Sequence, residues 1–121
     1  MASTWSETQQ FFESLAARHG QFAGLRDLAT RIASSGYAAG LHPWTSMHDL
    51  CISQADIAAP HMSPHLRIST VEGGLEFRYV DTAVRDRQWT RVVPGAAGFD
   101  RLESFLEQLN WFGGGRRGAD S

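Results

Sequence analysis

In this chain, the side chains that can bind a metal ion or take part in catalysis are most concentrated in the segment 40–54. It contains two histidines, a tryptophan, an aspartate and the only cysteine: His42, Trp44, His48, Asp49 and Cys51. Aspartate is depleted in β-strands, and a buried polar group there needs a hydrogen-bond partner or a function. Histidine, aspartate and cysteine are also the side chains that bind zinc and that serve nucleophilic catalysis.

The spacing of the histidines follows no established metal-binding pattern. His61 and His65 stand at the interval of two ligands on one helix turn, but Pro64 disfavours helical geometry at the residue before it. His42 and His48 do not complete a recognised ligand spacing. We therefore predict neither a metal ion nor a cofactor.

A catalytic relay within the segment is not predicted either. Alternate side chains of a strand leave opposite faces, so Ser46, His48 and Asp49 cannot form a relay merely because they are neighbours. Cys51 lies between two aliphatic residues, where a cysteine is typically a small buried hydrophobe. We assign no catalytic residue. One alternative stays open, in which His48, Asp49 and Cys51 line a pocket for a small ligand or a hydrolytic reaction.

Two helices are predicted before this segment. Thr4 and Glu7 have the spacing of a capping box, and apolar residues then recur at three- and four-residue steps. Gly20 suits a left-handed cap that would end the first helix. A second helix is predicted over about 22–35. The short break between the two implies a helical hairpin.

A mostly antiparallel sheet is predicted after the helices. A strand over 45–53 would direct His48 toward the core and Asp49 away from it. A hairpin over 65–81 turns at Gly73-Gly74, a pair that can supply the positive φ values of a two-residue turn.

This turn sets the register of the predicted hairpin. It pairs Ile68 with Tyr79 and Thr70 with Phe77 on the apolar face, and it leaves the other face polar. A further strand is predicted over 87–93.

The closing helix completes the predicted fold. Apolar residues recur at helical spacing over about 100–109, the strongest amphipathic segment of the chain. The order of elements predicts an α+β fold, with an N-terminal helical hairpin, a sheet of about four strands and a C-terminal helix, the helices covering one sheet face. We expect one domain over 1–112 and a flexible Gly/Arg tail over 113–121.

The composition is that of an ordinary single domain. Of 121 residues, 42% are hydrophobic and 20% are charged, and a single cysteine cannot form an internal disulfide. The formal net charge of −2 disfavours nucleic acid as a partner. With no secretory signal and no apolar run long enough to cross a bilayer, a cytoplasmic location without membrane association is expected. The absence of lysine excludes Schiff-base and P-loop chemistry, and it is typical of a GC-rich bacterial source.

The arginines and tryptophans suit either a binding function or a solvated sheet face with cross-strand pairs to Glu76 and Asp86. Guanidinium groups offer paired hydrogen-bond donors, and tryptophan supplies a rigid anchoring surface. The expected partner-binding residues lie on the polar sheet face and in a loop over 41–48: Arg67, Arg78, Arg87, Trp89, Arg91, His42 and Trp44. The leading hypothesis is a non-enzymatic protein of adaptor or toxin-neutralising type that binds a protein partner through them. An exposed Trp111-Phe112 pair after the last helix would favour a homodimer as well.

Overall fold

The computed structural model describes residues 4–54, 64–81 and 84–111. Its α-helices are α1 (Trp5–Arg18), α2 (Ala23–Ala33) and α3 (Gly98–Leu109). Its strands are β1 (His42–Ser46), β2 (Asp49–Ser53), β3 (His65–Val71), β4 (Gly74–Val80) and β5 (Trp89–Val93). The predicted tail over 113–121 lies outside the described residues, and so does His61.

The capping box predicted for the first helix is present at α1. The Oγ1 atom of Thr4 accepts a hydrogen bond from the Glu7 N–H at 3.1 Å, and Glu7 Oε1 accepts one from the Thr4 N–H at 3.0 Å. The predicted left-handed cap at Gly20 is wrong, because Gly20 does not have a positive φ. It instead begins a 3₁₀ turn, Gly20–Phe22, that leads directly into α2. The helical hairpin is formed without a left-handed residue at its bend.

The five strands form one antiparallel sheet in the order β1-β2-β3-β4-β5. The sequence predicts about four strands, and the additional strand arises because the predicted strand over 45–53 is interrupted. Met47 and His48 have φ values of 50° and 73°, and Ser46 pairs with Asp49 across them. A two-residue turn of this kind needs positive φ at both positions and normally carries glycine or asparagine. The tight turn therefore left no signal in the sequence.

The hairpin of β3 and β4 turns one residue earlier than predicted. Val71 pairs with Gly74, so the turn consists of Glu72 and Gly73 instead of Gly73-Gly74. Ile68 consequently lies opposite Phe77 and not opposite Tyr79. The pairing shifts by an even number of residues, so every side chain remains on its predicted face of the sheet.

All three helices lie on one face of the sheet, here called the helical face, as the sequence predicted. Their buried side chains form one core with apolar residues of the four strands β2 to β5: Leu50, Ile52, Leu66, Ile68, Leu75, Phe77, Tyr79 and Val93. The opposite face is here called the outer face. Trp111 is buried in the same core, so it is not the exposed residue that would favour a homodimer. No helix in the described ranges is long and apolar enough to cross a membrane.

Candidate functional site

The sheet divides the predicted partner-binding residues between two faces. Arg67 and Arg78 lie directly opposite each other on the outer face. Trp89 and Arg91 lie on the helical face, because they pair with Tyr79 and Phe77 of the core. The single surface expected from the sequence is therefore two surfaces, one on each side of the β4–β5 ladder.

The segment expected to form a loop over 41–48 is mostly a strand. His42 and Trp44 belong to β1, and Trp44 lies opposite Cys51 on the outer face. The Trp44 ring is buried, and its centroid is 5.1 Å from that of His65, which is also buried. Trp44 therefore serves packing, and only the turn at Met47 and His48 projects into solvent.

Arg67 is held by a carboxylate of the neighbouring strand. Its Nε atom donates to Asp49 Oδ2 at 2.6 Å, and its Nη2 atom donates to the Ser46 carbonyl oxygen at 3.4 Å. These two bonds tie β3 to both ends of the β1–β2 turn. Because its charge is paired with Asp49 and its Nε and Nη2 atoms are bonded to the turn, Arg67 positions the turn and is a weaker candidate for contacting a partner than an unpaired arginine. Arg78, by contrast, is exposed and forms no ion pair with a described residue.

Asp49 is expected to contribute measurably to stability through this pair. Its side chain is 18% exposed and that of Arg67 is 26% exposed, so Asp49→Ala leaves a shielded guanidinium without its acceptor. We expect the free energy of unfolding to fall by about 2 kcal/mol, the usual worth of a charge-assisted hydrogen bond. Urea denaturation measures the change.

A matched control is Asp27→Ala, which removes the partner of Arg26. That pair is exposed, with 42% and 68% of the side chains accessible. Exposed pairs contribute at most about 1 kcal/mol. Equal losses in the two variants would show that the Asp49–Arg67 pair is only another surface contact.

Cys51 is protonated at neutral pH and buried. It is 1% exposed, and burial raises the pKa of its thiol to about 11. The positive charges of Arg67 and Arg78 oppose this rise, and the Asp49 carboxylate adds to it. Since the thiolate is the nucleophilic form, Cys51 behaves as the buried hydrophobe predicted from the sequence.

The raised pKa makes stability depend on alkaline pH. In the unfolded chain the thiol ionises near its ordinary value of 9.0, whereas in the folded chain it stays protonated to about 11. The protonated thiol contributes its full stabilisation below pH 9, the pKa of the thiol in the unfolded chain. As pH rises from about 9 to about 11, the free energy of unfolding falls by up to ~1.4 kcal/mol per pH unit. Urea denaturation at a series of pH values across this range is expected to show that the free energy of unfolding falls less steeply with pH in Cys51→Ala than in the original chain. Burial also raises the Tyr79 pKa, with the Asp81 charge adding to it, so Tyr79 contributes in the same direction in both proteins. Identical slopes would contradict the assignment to Cys51.

The alternative pocket of His48, Asp49 and Cys51 is not assembled as one group. His48 lies on the core side of the sheet, as predicted, but it is exposed in the turn instead of buried. Its ring centroid is 5.7 Å from Phe22 and 6.3 Å from Phe11, both on the helical side, whereas Asp49 and Cys51 face outward. Among the residues that the structure describes, no three His, Cys, Asp or Glu side chains are placed to hold a metal ion.

Trp89, Arg87 and Arg91 form a second cluster, here called the β5 rim. The Trp89 ring is half-buried and packs against two core rings, with centroids 5.9 Å from Tyr79 and 4.8 Å from Phe105. The Arg91 guanidinium carbon lies 5.3 Å from the Trp89 ring. Both arginines are exposed and form no ion pair with a described residue. Arg91 Nη1 also donates to the carbonyl oxygen of Thr90 at 3.0 Å. The β5 rim thus joins a rigid aromatic anchor to two cations that have no carboxylate partner among the described residues.

Asp81 holds the short segment that carries Arg87. This buried carboxylate accepts a hydrogen bond from the Val84 N–H at 2.8 Å, and its own backbone N–H donates to Gln88 Oε1 at 3.1 Å. Between these contacts lies the 3₁₀ turn Arg85–Arg87. The two bonds fix the entry to β5 and thereby position the rim.

A cavity of about 330 Å³ opens beside the β5 rim on the helical face. It is lined by one rim tryptophan, one rim arginine and residues of β4 and α3: Tyr79, Arg87, Trp89, Gln108 and Leu109. The contributions of Tyr79, Gln108 and Leu109 were not predicted. The helical pattern of 100–109 was visible in the sequence, but the strand against which that helix would pack was not.

A second cavity, of about 390 Å³, lies between α2 and the start of α3. It is lined by Asp27, Leu28, Thr30, Arg31, Gly95, Ala96 and Phe99. The Arg31 guanidinium carbon is 4.3 Å from the Phe99 ring, so this arginine is engaged with an aromatic side chain of the cavity wall. None of the predicted site residues lies here.

Comparison with protein-family models, with curated proteins and with solved structures finds no match to this chain.

Proposed function

We propose that this protein is a non-enzymatic binding protein whose protein partner docks on the β5 rim. The observation that supports it best is the arrangement of Trp89 between Arg87 and Arg91. The tryptophan rests on core rings, while both arginines are exposed and neither forms an ion pair with a described residue. Tryptophan and arginine dominate the energetic centres of protein interfaces, because each contributes large contact area together with directed donors.

The rim also has the preorganisation that an interface needs. Trp89 contacts Tyr79 and Phe105, so its ring loses little freedom when a partner covers it. The bonds of Asp81 fix the backbone on which Arg87 stands. The outer face offers less, since Arg67 is committed to Asp49 and only Arg78 is available.

The test is affinity capture from native lysate with three forms of the chain. We expect the double variant Arg87→Ala/Arg91→Ala to capture less of the specific partner by a factor of about ten or more. Hydrogen bonds to charged groups contribute about 1.5–3 kcal/mol each. Arg78→Ala removes an arginine that is likewise exposed, but on the outer face, and this variant is expected to bind almost as well as the original chain.

Two results would overturn this assignment. Undiminished capture by the double variant would remove the β5 rim from the interface. Loss of capture in Arg78→Ala alone would move the interface to the outer face. Circular dichroism of each variant distinguishes loss of binding from loss of folding.

A further inference from the structure

β5 is an edge strand of the described sheet. It pairs with β4 on one side, and no described strand pairs with its other side. Thr90, Arg91 and Val92 are exposed, and Val92 is 60% exposed. An edge strand can accept an extended segment of another chain as a further strand through its backbone N–H and C=O groups. The Thr90 carbonyl oxygen accepts a hydrogen bond from Arg91 Nη1 at 3.0 Å, and where this carbonyl faces the edge the added strand would take the place of that bond.

The groove beside this edge has an aromatic floor. Trp89 lines it from β5, and Gln108 and Leu109 line it from α3. Beneath Trp89 lies Phe105, with ring centroids 4.8 Å apart. A strand added to β5 would direct every second side chain toward this groove, because side chains of a strand alternate between faces.

The charge at the groove is positive. Arg87 lines the cavity, Arg91 lies over Trp89, and the Arg101 guanidinium carbon is 5.1 Å from the Phe105 ring. None of these three arginines forms an ion pair with a described residue. The two β5-rim arginines and Arg101 therefore favour an occupant that brings carboxylates at alternate positions.

We propose that an extended acidic segment of the partner pairs with β5 as a sixth strand and directs its carboxylates toward Arg87, Arg91 and Arg101, an inference that rests on the proposed function. The intervening side chains of the segment would contact Thr90 and Val92 on the outer face. Pairing through the backbone supplies affinity, and the arginines select the charge of the segment.

The experiment follows amide chemical shifts of the full chain by NMR as a capped peptide of alternating glutamate and valine, as long as β5, is added. We expect saturable shifts at Thr90, Arg91 and Val92 and at the Trp89 indole. Arg91→Ala is expected to weaken binding about tenfold or more, as for loss of a charge-assisted hydrogen bond. Arg18→Ala, which removes an exposed arginine at the end of α1, is the matched control and should bind unchanged.

Three modified ligands complete the test. The same peptide with lysine in place of glutamate should not bind. Two further peptides carry N-methyl groups on either the odd-numbered or the even-numbered backbone nitrogens. Only the peptide whose methylated nitrogens face β5 should lose binding, because methylation removes the N–H donors that would pair with β5. Equal binding of the lysine peptide would overturn the charge assignment, and binding of both methylated peptides would overturn strand addition. Tighter binding of a single-stranded oligonucleotide at the same residues would assign the groove to nucleic acid instead.

The two proposals fail separately. If the glutamate peptide does not bind while lysate capture still depends on Arg87 and Arg91, strand addition by an acidic segment is wrong and the β5 rim remains the interface. If capture is independent of both arginines, the proposed function itself is wrong.

Discussion

Replacing Gly74 with alanine is expected to lower the free energy of unfolding by about 3 kcal/mol, through backbone strain and overpacking together. Gly74 has a φ of +154°, and a Cβ added there would lie 2.0 Å from the Val93 carbonyl oxygen and 3.1 Å from the Pro94 Cα. Both neighbouring atoms belong to the backbone and cannot rotate away. The end of β5 must therefore separate from β4, or the turn must deform.

Alanine variants at two other glycines distinguish the effect of backbone strain from that of a steric clash. Gly73 has a φ of +89° but open space where a Cβ would lie, so Gly73→Ala should cost only the left-handed conformation, about 1–2 kcal/mol. Gly20 has open space and no positive φ, so Gly20→Ala should be neutral or slightly stabilising. Urea denaturation of the three variants gives the order. A loss at Gly74 no larger than that at Gly73 would contradict the close contact between β4 and β5.

Truncation of Phe105 is expected to have the largest effect on both stability and the candidate interface. Its ring is buried and lies 5.1 Å from Phe77 of the core and 4.8 Å from Trp89 of the rim. Phe105→Ala removes this connection and leaves a cavity, at an expected cost of about 3–5 kcal/mol. The Trp89 ring then loses its floor, so partner binding should weaken as well.

Phe105→Leu is the control for this variant. It keeps most of the apolar volume and should cost less than about 1.5 kcal/mol. Thermal or urea denaturation measures stability, and the capture assay measures binding at a temperature where both variants are folded. Equal stability of the alanine and leucine variants would show that Phe105 is not the packed link between core and rim.

Local signals allowed much of the fold to be predicted. The capping box at Thr4 and the amphipathic pattern of 100–109 depend on residues a few positions apart, and both correspond to helices. The β1–β2 turn was missed because Met47 and His48 adopt positive φ without the glycine or asparagine that usually signals it. Tertiary pairing overrides local preference at this turn, with Arg67 binding Asp49 and Ser46 at its two ends.

The candidate site was predicted only as a set of residue types. Arg87, Trp89 and Arg91 were identified as binding residues from their chemistry, but their side of the sheet depends on the β4–β5 pairing. Arg67 has the same chemistry as Arg87 and Arg91, but its engagement by Asp49 depends on the β1–β2 turn, which no local signal predicts. Phe105 and Gln108 come from a helix distant in sequence, so no local pattern could place them beside Trp89.

Site-specific photocrosslinking shows whether the partner covers the β5 edge. A benzophenone amino acid replaces Val92, which is 60% exposed on β5, or Met47, which is 87% exposed at the β1–β2 turn. Both positions project into solvent, so neither replacement should disturb the core. We predict a covalent partner adduct from position 92 and none from position 47. An adduct from position 47 without one from position 92 would contradict the account and place the interface at the opposite end of the sheet.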